Sequence, residues 1–424
     1  PIQQLTVSNP GQIAVMPGGK YAFVTQQNGS AVSLIAYGRS AQNCRVVEQS
    51  IKVGSKPAGV TVTLENGQAM VANSGDSSLS VLTLAAYEAV TQPVTVGNLP
   101  TNVAASPDGR TVLAWNNALR TISGQSGSPS PGLYAYDTGS GTVTQQLSQA
   151  KIADCVFDQN PAKRQAYAVL AQTPQVSIVN TTASPFTVQT VALSANGQTR
   201  NPILVDASSD GSRLFVVAEA GALSYRMIVF DSSKAGLTLL QDIALYTASG
   251  KGFLAMCVAP DGSQAFVTNS FDHNLCVVQA DKNGSYAAQT PISLTGNPTS
   301  LTVLPDGSKV YVLSTTTSDT MISVLDTQTL TLRTAHFGQQ TWNASLMDIT
   351  PSPDGTRLFA TDVAQTAIRV IDPQSLRFVQ TLAWGSQQVV QPYSIAILPD
   401  GSRIFTANVS SGNIGIVQQV QPAS

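Results

Sequence analysis

Repetition constrains this chain more than any other feature of its sequence. A Pro-Asp-Gly tetrapeptide occurs at Pro107–Arg110, Pro260–Ser263, Pro305–Ser308, Pro353–Thr356 and Pro399–Ser402, with a near copy at Ser209–Ser212. Pro17–Lys20 and Glu65–Gln68 are looser copies, and Asn160–Lys163 is a degenerate ninth. Proline presets φ at the first turn position, aspartate tolerates the second and hydrogen-bonds nearby backbone, and glycine takes the left-handed conformation that follows. The tetrapeptide therefore predicts a type I turn with a glycine bulge joining two antiparallel strands.

The flanks agree. Ser300–Leu304 and Ser394–Leu398 lead into two of the turns, and Lys309–Leu313 and Arg403–Ala407 lead out. A third strand follows each copy, as at Met321–Asp326 and Ala367–Asp372, and a fourth, more polar one follows in all but the last, as at Arg377–Leu382. The central glycines stand at positions 19, 67, 109, 211, 262, 307, 355 and 401. The long interval between Gly109 and Gly211 leaves room for a degenerate copy over Lys151–Leu193. Four short alternating strands per repeat is the pattern of a propeller blade. The expectation is an all-β chain folded as a single closed β-propeller over residues 1–424, with nine four-stranded blades, or eight if the fourth copy is an insertion. The last repeat has only three strands, and Ile2–Val7 is a strand with no repeat of its own. Pairing the two would complete the last blade and leave no open edge.

Composition removes several classes of function. The chain has 22 basic and 24 acidic residues, a net charge of −2, so the basic footprint of a nucleic-acid binder is absent. No apolar run approaches the roughly 18 residues of a membrane helix. Ser, Thr, Gln, Asn and Gly fill surface positions that Lys and Glu usually take, a composition common in exported proteins. The chain starts at Pro1, which reads as the product of leader removal or trimming. Cys44, Cys155, Cys257 and Cys276 form no CxxC pair and fit no zinc spacing. Their placement on separated strands predicts free, buried thiols.

Phe266-Val267-Thr268-Asn269 is one aromatic swap from the signature of the YVTN-type β-propellers, and Met70–Asn73, Phe359–Asp362 and Phe405–Asn408 are cousins of it. Pro100, Pro298 and Pro392, each seven residues before a turn proline, resemble that family's blade opening. The resemblance covers nearly the whole chain and implies the fold. Function belongs to sites grafted on folds, so it implies little more. Its members are often seven-bladed, so nine blades is a departure. Some relatives are lactonases or muconate cycloisomerases with clustered His, Arg and Glu over the central channel. This chain has only two histidines, His273 and His336, and neither CxxCH nor a His-rich stretch, so no haem or other cofactor is expected.

The loops entering each first strand, and those joining second to third strands, share one face in such a fold. Trp115, Asn116, Asp206, Glu219, Lys251, Phe253, Asp348 and Asp362 are the candidate ligand- or partner-binding residues there. Asp154, Asp206 and Asp348 occupy similar places in their blades. They either surround a cation or acid–base site, or hydrogen-bond backbone where the strands open. Glu219 and Arg226 are either a catalytic pair or a loop salt bridge. Trp115 either anchors a partner or packs between blades. Asn116–Gly132 is the longest connection on this face, and long loops often carry function. No GxSxG elbow, P-loop or metal-binding helix motif occurs. The leading expectation is a non-enzymatic binding or scaffold propeller, secreted, periplasmic or on the cell surface, that presents this loop face to a protein or glycan. The alternatives are a lactonase-like or lyase-like enzyme at the channel mouth and a subunit of an extracellular assembly.

Overall fold

The structure is a computed structural model. It describes residues 5–15, 21–36, 45–62, 68–83, 86–89, 94–119, 128–183, 185–195, 198–221, 223–234, 236–247, 250, 252, 254–317, 319–336, 345–384 and 391–420. Among them there is no helix, and the strands fall into nine antiparallel sheets that follow the sequence repeat and one two-stranded sheet, Ser194–Ala195 with Gln198–Thr199.

Repeat 1 has strands Pro10–Val15, Tyr21–Gln26, Ala31–Ala36 and Arg45–Lys52, and repeat 2 has Pro57–Val62, Gln68–Asn73 and Ser78–Thr83. Repeat 3 has Asn102–Ala105, Thr111–Trp115, Leu133–Asp137 and Val143–Gln146. Repeat 4, the degenerate copy, has Ile152–Phe157, Gln165–Leu170, Gln175–Asn180 and Thr187–Ala192. Repeat 5 has Asn201–Ala207, Arg213–Glu219, Ser224–Asp231 and Thr238–Thr247, and repeat 6 has Leu254–Val258, Gln264–Asn269, Asn274–Ala280 and Tyr286–Ala288. Repeat 7 has Asn297–Val303, Lys309–Thr315, Thr320–Asp326 and Leu332–His336. Repeat 8 has Leu346–Pro351, Leu358–Asp362, Ala367–Ile371 and Phe378–Ala383, and repeat 9 has Pro392–Ile397, Arg403–Asn408 and Asn413–Val420.

The turns have the expected chemistry. Gly109, Gly211, Gly262, Gly307, Gly355 and Gly401 all have φ between 69° and 72°. Gly307 N–H donates to Leu304 O at 2.8 Å, closing the type I turn. Asp306 Oδ1 accepts from Ser308 N and Oγ at 3.0 and 2.7 Å, and Asp261, Asp354 and Asp400 repeat the arrangement.

The chain divides into two compact units. The smaller contains residues 1–87, 377–380 and 419–424, and with them repeats 1 and 2. Inside it the first strands of the two repeats lie side by side over Phe23, Val32, Val60 and Val71, and Gln12 Oε1 accepts from Val60 N–H at 2.9 Å. The larger contains residues 88–376 and 381–418, with repeats 3 to 9. There the first strands stand side by side in chain order, and that of repeat 3 also lies against that of repeat 9. Val103, Val112, Ala114 and Tyr136 of repeat 3 share one apolar core with Ala396, Phe405, Ala407 and Ile414 of repeat 9. The turn ends follow the same order. A Cβ on Gly307, Gly355 or Gly401 would meet the ring of Pro260, Pro305 or Pro353 in the preceding repeat, and one on Gly109 would meet Leu398 of repeat 9.

The last sheet is completed differently from expectation. Leu5–Asn9 carry no strand, and residues 1–4 lie outside the described ones. The outer edge of Asn413–Val420 is taken by Ala86–Ala89 and Val94–Thr95, with Val94 opposite Ile414 and Thr95 opposite Asn413. The cause is burial: Val94 and Val96 enter the apolar core of Phe405, Ile414 and Ile416, and Val96 N–H donates to Gly412 O at 3.1 Å. Repeat 2, whose own fourth strand these residues would be by sequence order, ends as a three-stranded sheet.

Cys155, Cys257 and Cys276 are buried and free, and burial raises the pKa of each thiol, that of Cys276 to about 11. They act as small hydrophobes. Cys44 lies outside the described residues.

Candidate binding face

The strand registers place the opening of each first strand, the end of the second and the start of the third at one end of the sheet. Asn102 pairs with Trp115 and Trp115 with Leu133; Leu254 pairs with Asn269 and Asn269 with Asn274. The Pro-Asp-Gly turns occupy the other end. Candidate chemistry is therefore confined to the loop end.

The three aspartates latch neighbouring first strands together. Asp154 Oδ1 accepts from Cys155 N at 2.9 Å, and its Oδ2 from Val205 N of repeat 5 at 3.1 Å. Asp206 Oδ1 accepts from Ala207 N at 2.8 Å, and its Oδ2 from Val258 N of repeat 6 at 2.9 Å. Asp348 accepts from Ile349 N, from Ser300 Oγ of repeat 7 and from Ile395 N of repeat 9. Ser394, at the same place in repeat 9, accepts from Val103 N of repeat 3 at 3.4 Å. These carboxylates hold strand openings together, the second of the two roles considered for them. Dehydration raises the Asp206 carboxyl pKa to about 7, with the charge of Asp154 adding to it. Among the described residues no group of three or more His, Cys, Asp or Glu is placed to hold a metal ion.

The last residue of the YVTN-like tetrapeptide is also structural. Asn73, Asn269, Asp362 and Asn408 are all buried at the end of a second strand. Asn269 Oδ1 accepts from Phe271 N and Asp272 N at 2.7 and 3.2 Å and so caps the loop. Asp362 accepts from Ser345 N and Gln365 N, and its Oδ2 takes Arg369 Nε and a second guanidinium nitrogen at 2.8 Å. Asp362 is fully enclosed and charge-paired with Arg369.

Trp115 is buried, packed with Leu113, Leu133, Ile152 and Phe157 between repeats 3 and 4. Asn116 is half-buried, and its Nδ2 donates to Leu99 O at 2.7 Å. Glu219 sits half-buried at the end of its strand. Arg226 pairs with Asp242: it donates from Nε to Asp242 Oδ1 and from a terminal nitrogen to Asp242 O at 3.0 Å, while Arg200 approaches Asp242 Oδ2 at 3.4 Å. Lys251 and Phe253 lie outside the described residues. The two ends of the Asn116–Gly132 loop are anchored: Ala118 N–H donates to Ile152 O and Ser130 N–H to Asn98 O. His336 is exposed on an outer strand with Nδ1 at 2.9 Å from Asp319 Oδ2, and His273 Nδ1 lies 3.0 Å from Gly296 O.

The loop end also exposes apolar side chains. Phe271, between the second and third strands of repeat 6, is 55% exposed, and Leu119, in the corresponding loop of repeat 3, is 48% exposed. The Phe271 ring rests on Gly250, where any Cβ would come within 2.5 Å of it. Neither residue was among the sequence candidates. The available signal was an aromatic side chain inside a four-residue turn, Ser270–His273, where polar residues are the rule.

No family model and no curated protein matches this sequence. Its structure is similar to the β-propeller domain of Myceliophteria thermophila Cps50 (Swd1), with a TM-score of 0.57 and 11% sequence identity, over 78% of this chain and 100% of that one. At that identity the likeness establishes the fold, and the chain is a β-propeller.

Proposed function

We propose that the protein is a non-enzymatic binding scaffold: a ring of seven blades, repeats 3 to 9, closed by Ala86–Ala89 and Val94–Thr95, that presents its loop end to a partner protein. The apolar core shared by repeats 3 and 9 supports closure. So does the order of the turn ends, in which Gly109 of repeat 3 meets repeat 9. Repeats 1 and 2 belong to the other compact unit. Membership of the YVTN-type propellers is part of the same reading, supported by the shared burial of Asn73, Asn269, Asp362 and Asn408 at the ends of second strands. Export is supported by the low charge.

The observation that carries the binding role is the exposure of Phe271 and Leu119 at an end whose carboxylates Asp154, Asp206 and Asp348 are committed to backbone N–H groups. A few central residues dominate the energy of a protein interface, at about 2 kcal/mol or more each when truncated. A glycan would also use the aromatic face. The test is affinity capture from native extract with the wild type, Phe271→Asp, Leu119→Asp, and the turn-end variants Arg110→Glu and Gln328→Lys. Loss of the captured species with the first two alone is expected. Loss with the turn-end pair alone would place the partner on the other end.

A further inference from the structure

Resting on the ring reading above, we propose that Ala86–Ala89 with Val94–Thr95 is an exchangeable strand segment, seated on repeat 9 but able to return to the open edge of repeat 2.

The argument begins with chain order. In repeats 1 and 3 to 8 the strand after the third pairs with the third, as Leu332–His336 pairs with Thr320–Asp326. Ala86–Ala89 begins after only Leu84 and Ala85 from the end of Ser78–Thr83, so by position it is the fourth strand of repeat 2. It pairs instead with Asn413–Val420, more than 300 residues away in sequence. Among the described residues, the sheet of repeat 2 is the one repeat sheet with three strands. Among the described residues no fourth strand pairs with its last strand, Ser78–Thr83, the pairing that the fourth strand makes in repeat 1. Leu79 on that strand is 60% exposed.

Packing decides which seat is filled. On repeat 9, Val94 and Val96 add apolar surface to the core of Ile414, Ile416 and Phe405, and Val96 N–H gains Gly412 O. The return to repeat 2 is the cheaper closure in chain entropy, because the loop is two residues long instead of hundreds. One segment with a local seat and a distant, better-packed seat is a bistable element of the kind that lets two packings compete within a few kcal/mol. Removing the segment from repeat 9 would leave Asn413–Val420 as an open edge.

The experiment uses the full chain and amide hydrogen exchange. A Val94→Cys/Ile414→Cys pair is made first. Oxidative cross-linking of the native protein is expected, since the two residues are paired. Failure to cross-link would overturn the ring reading itself. Then Val94→Asp is used to weaken the distant seat, with Val94→Thr as a milder change if the first does not fold. Amides of Ser78–Thr83 should become about tenfold slower to exchange while those of Asn413–Val420 become faster. If the repeat 9 strand loses protection and Ser78–Thr83 gains none, the segment merely detaches and the exchange is refuted with ring closure intact. In the oxidised cysteine variant, Ser78–Thr83 should stay in fast exchange.

Discussion

Asp206 is the residue where burial and function were hardest to separate in the sequence. Its carboxyl is dehydrated between two backbone N–H donors and the charge of Asp154, which lifts its pKa from 3.8 to about 7. A folded carboxyl that binds its proton more tightly than the unfolded one favours the fold when protonated. Its contribution is therefore greatest below pH 4, falls between about 4 and 7, and is level above. Asp206→Asn keeps an acceptor and cannot titrate. Unfolding in urea at pH 4 to 8 should show the variant gaining on the wild type by about 1–3 kcal/mol across that interval. The surface turn aspartates, such as Asp326 and Asp231, have lowered pKa values through their Thr329 and Ser233 partners and act below that range. A constant difference from pH 4 to 8 would contradict the dehydrated site. At the same scale, Asn269→Ala removes the buried acceptor of two loop N–H groups and should cost about 1–3 kcal/mol in thermal or urea unfolding.

Single strands and turns were the most legible level. Each Pro-Asp-Gly turn combines a fixed φ, a side-chain acceptor and a glycine, so each could be read locally. Even the degenerate repeat 4 folds into four strands from Ile152 to Ala192, inside the expected Lys151–Leu193. Asp158 there gathers Tyr167 Oη at 2.6 Å and Lys163 Nζ at 3.0 Å, a substitute network that no short motif announces. Gly307→Ala should cost about 1 kcal/mol, since φ of 71° penalises a Cβ and Pro260 stands 3.4 Å from where it would be. An unchanged melting temperature would show that the turn tolerates rearrangement. The site was less legible. Trp115 in the sequence fits a partner anchor and a core filler equally, and only its neighbours Leu133, Ile152 and Phe157 decide for the core. Phe271 stands in a turn of otherwise polar residues, and its exposure depends on the glycine beneath the ring, Gly250.

At the scale of the whole molecule, strand pairing across hundreds of residues has no local signature. Ile2–Val7 and Val94–Thr95 are both short segments of strand-forming composition, and the sequence does not rank them as partners for Asn413–Val420. The structure ranks them through the core that Val94 and Val96 join. Nine repeats in sequence then need not mean nine blades in one ring. The central claim is that Ala86–Ala89 and Val94–Thr95 close a ring of repeats 3 to 9. Its most direct measurement is thermal unfolding of three chains: residues 1–424, 86–424 and 96–424. The account predicts that 86–424 retains the cooperative transition of the ring, and that 96–424, lacking the closing strands, melts at least about 4 °C lower. Equal melting of 86–424 and 96–424, or failure of 86–424 to fold, would contradict it.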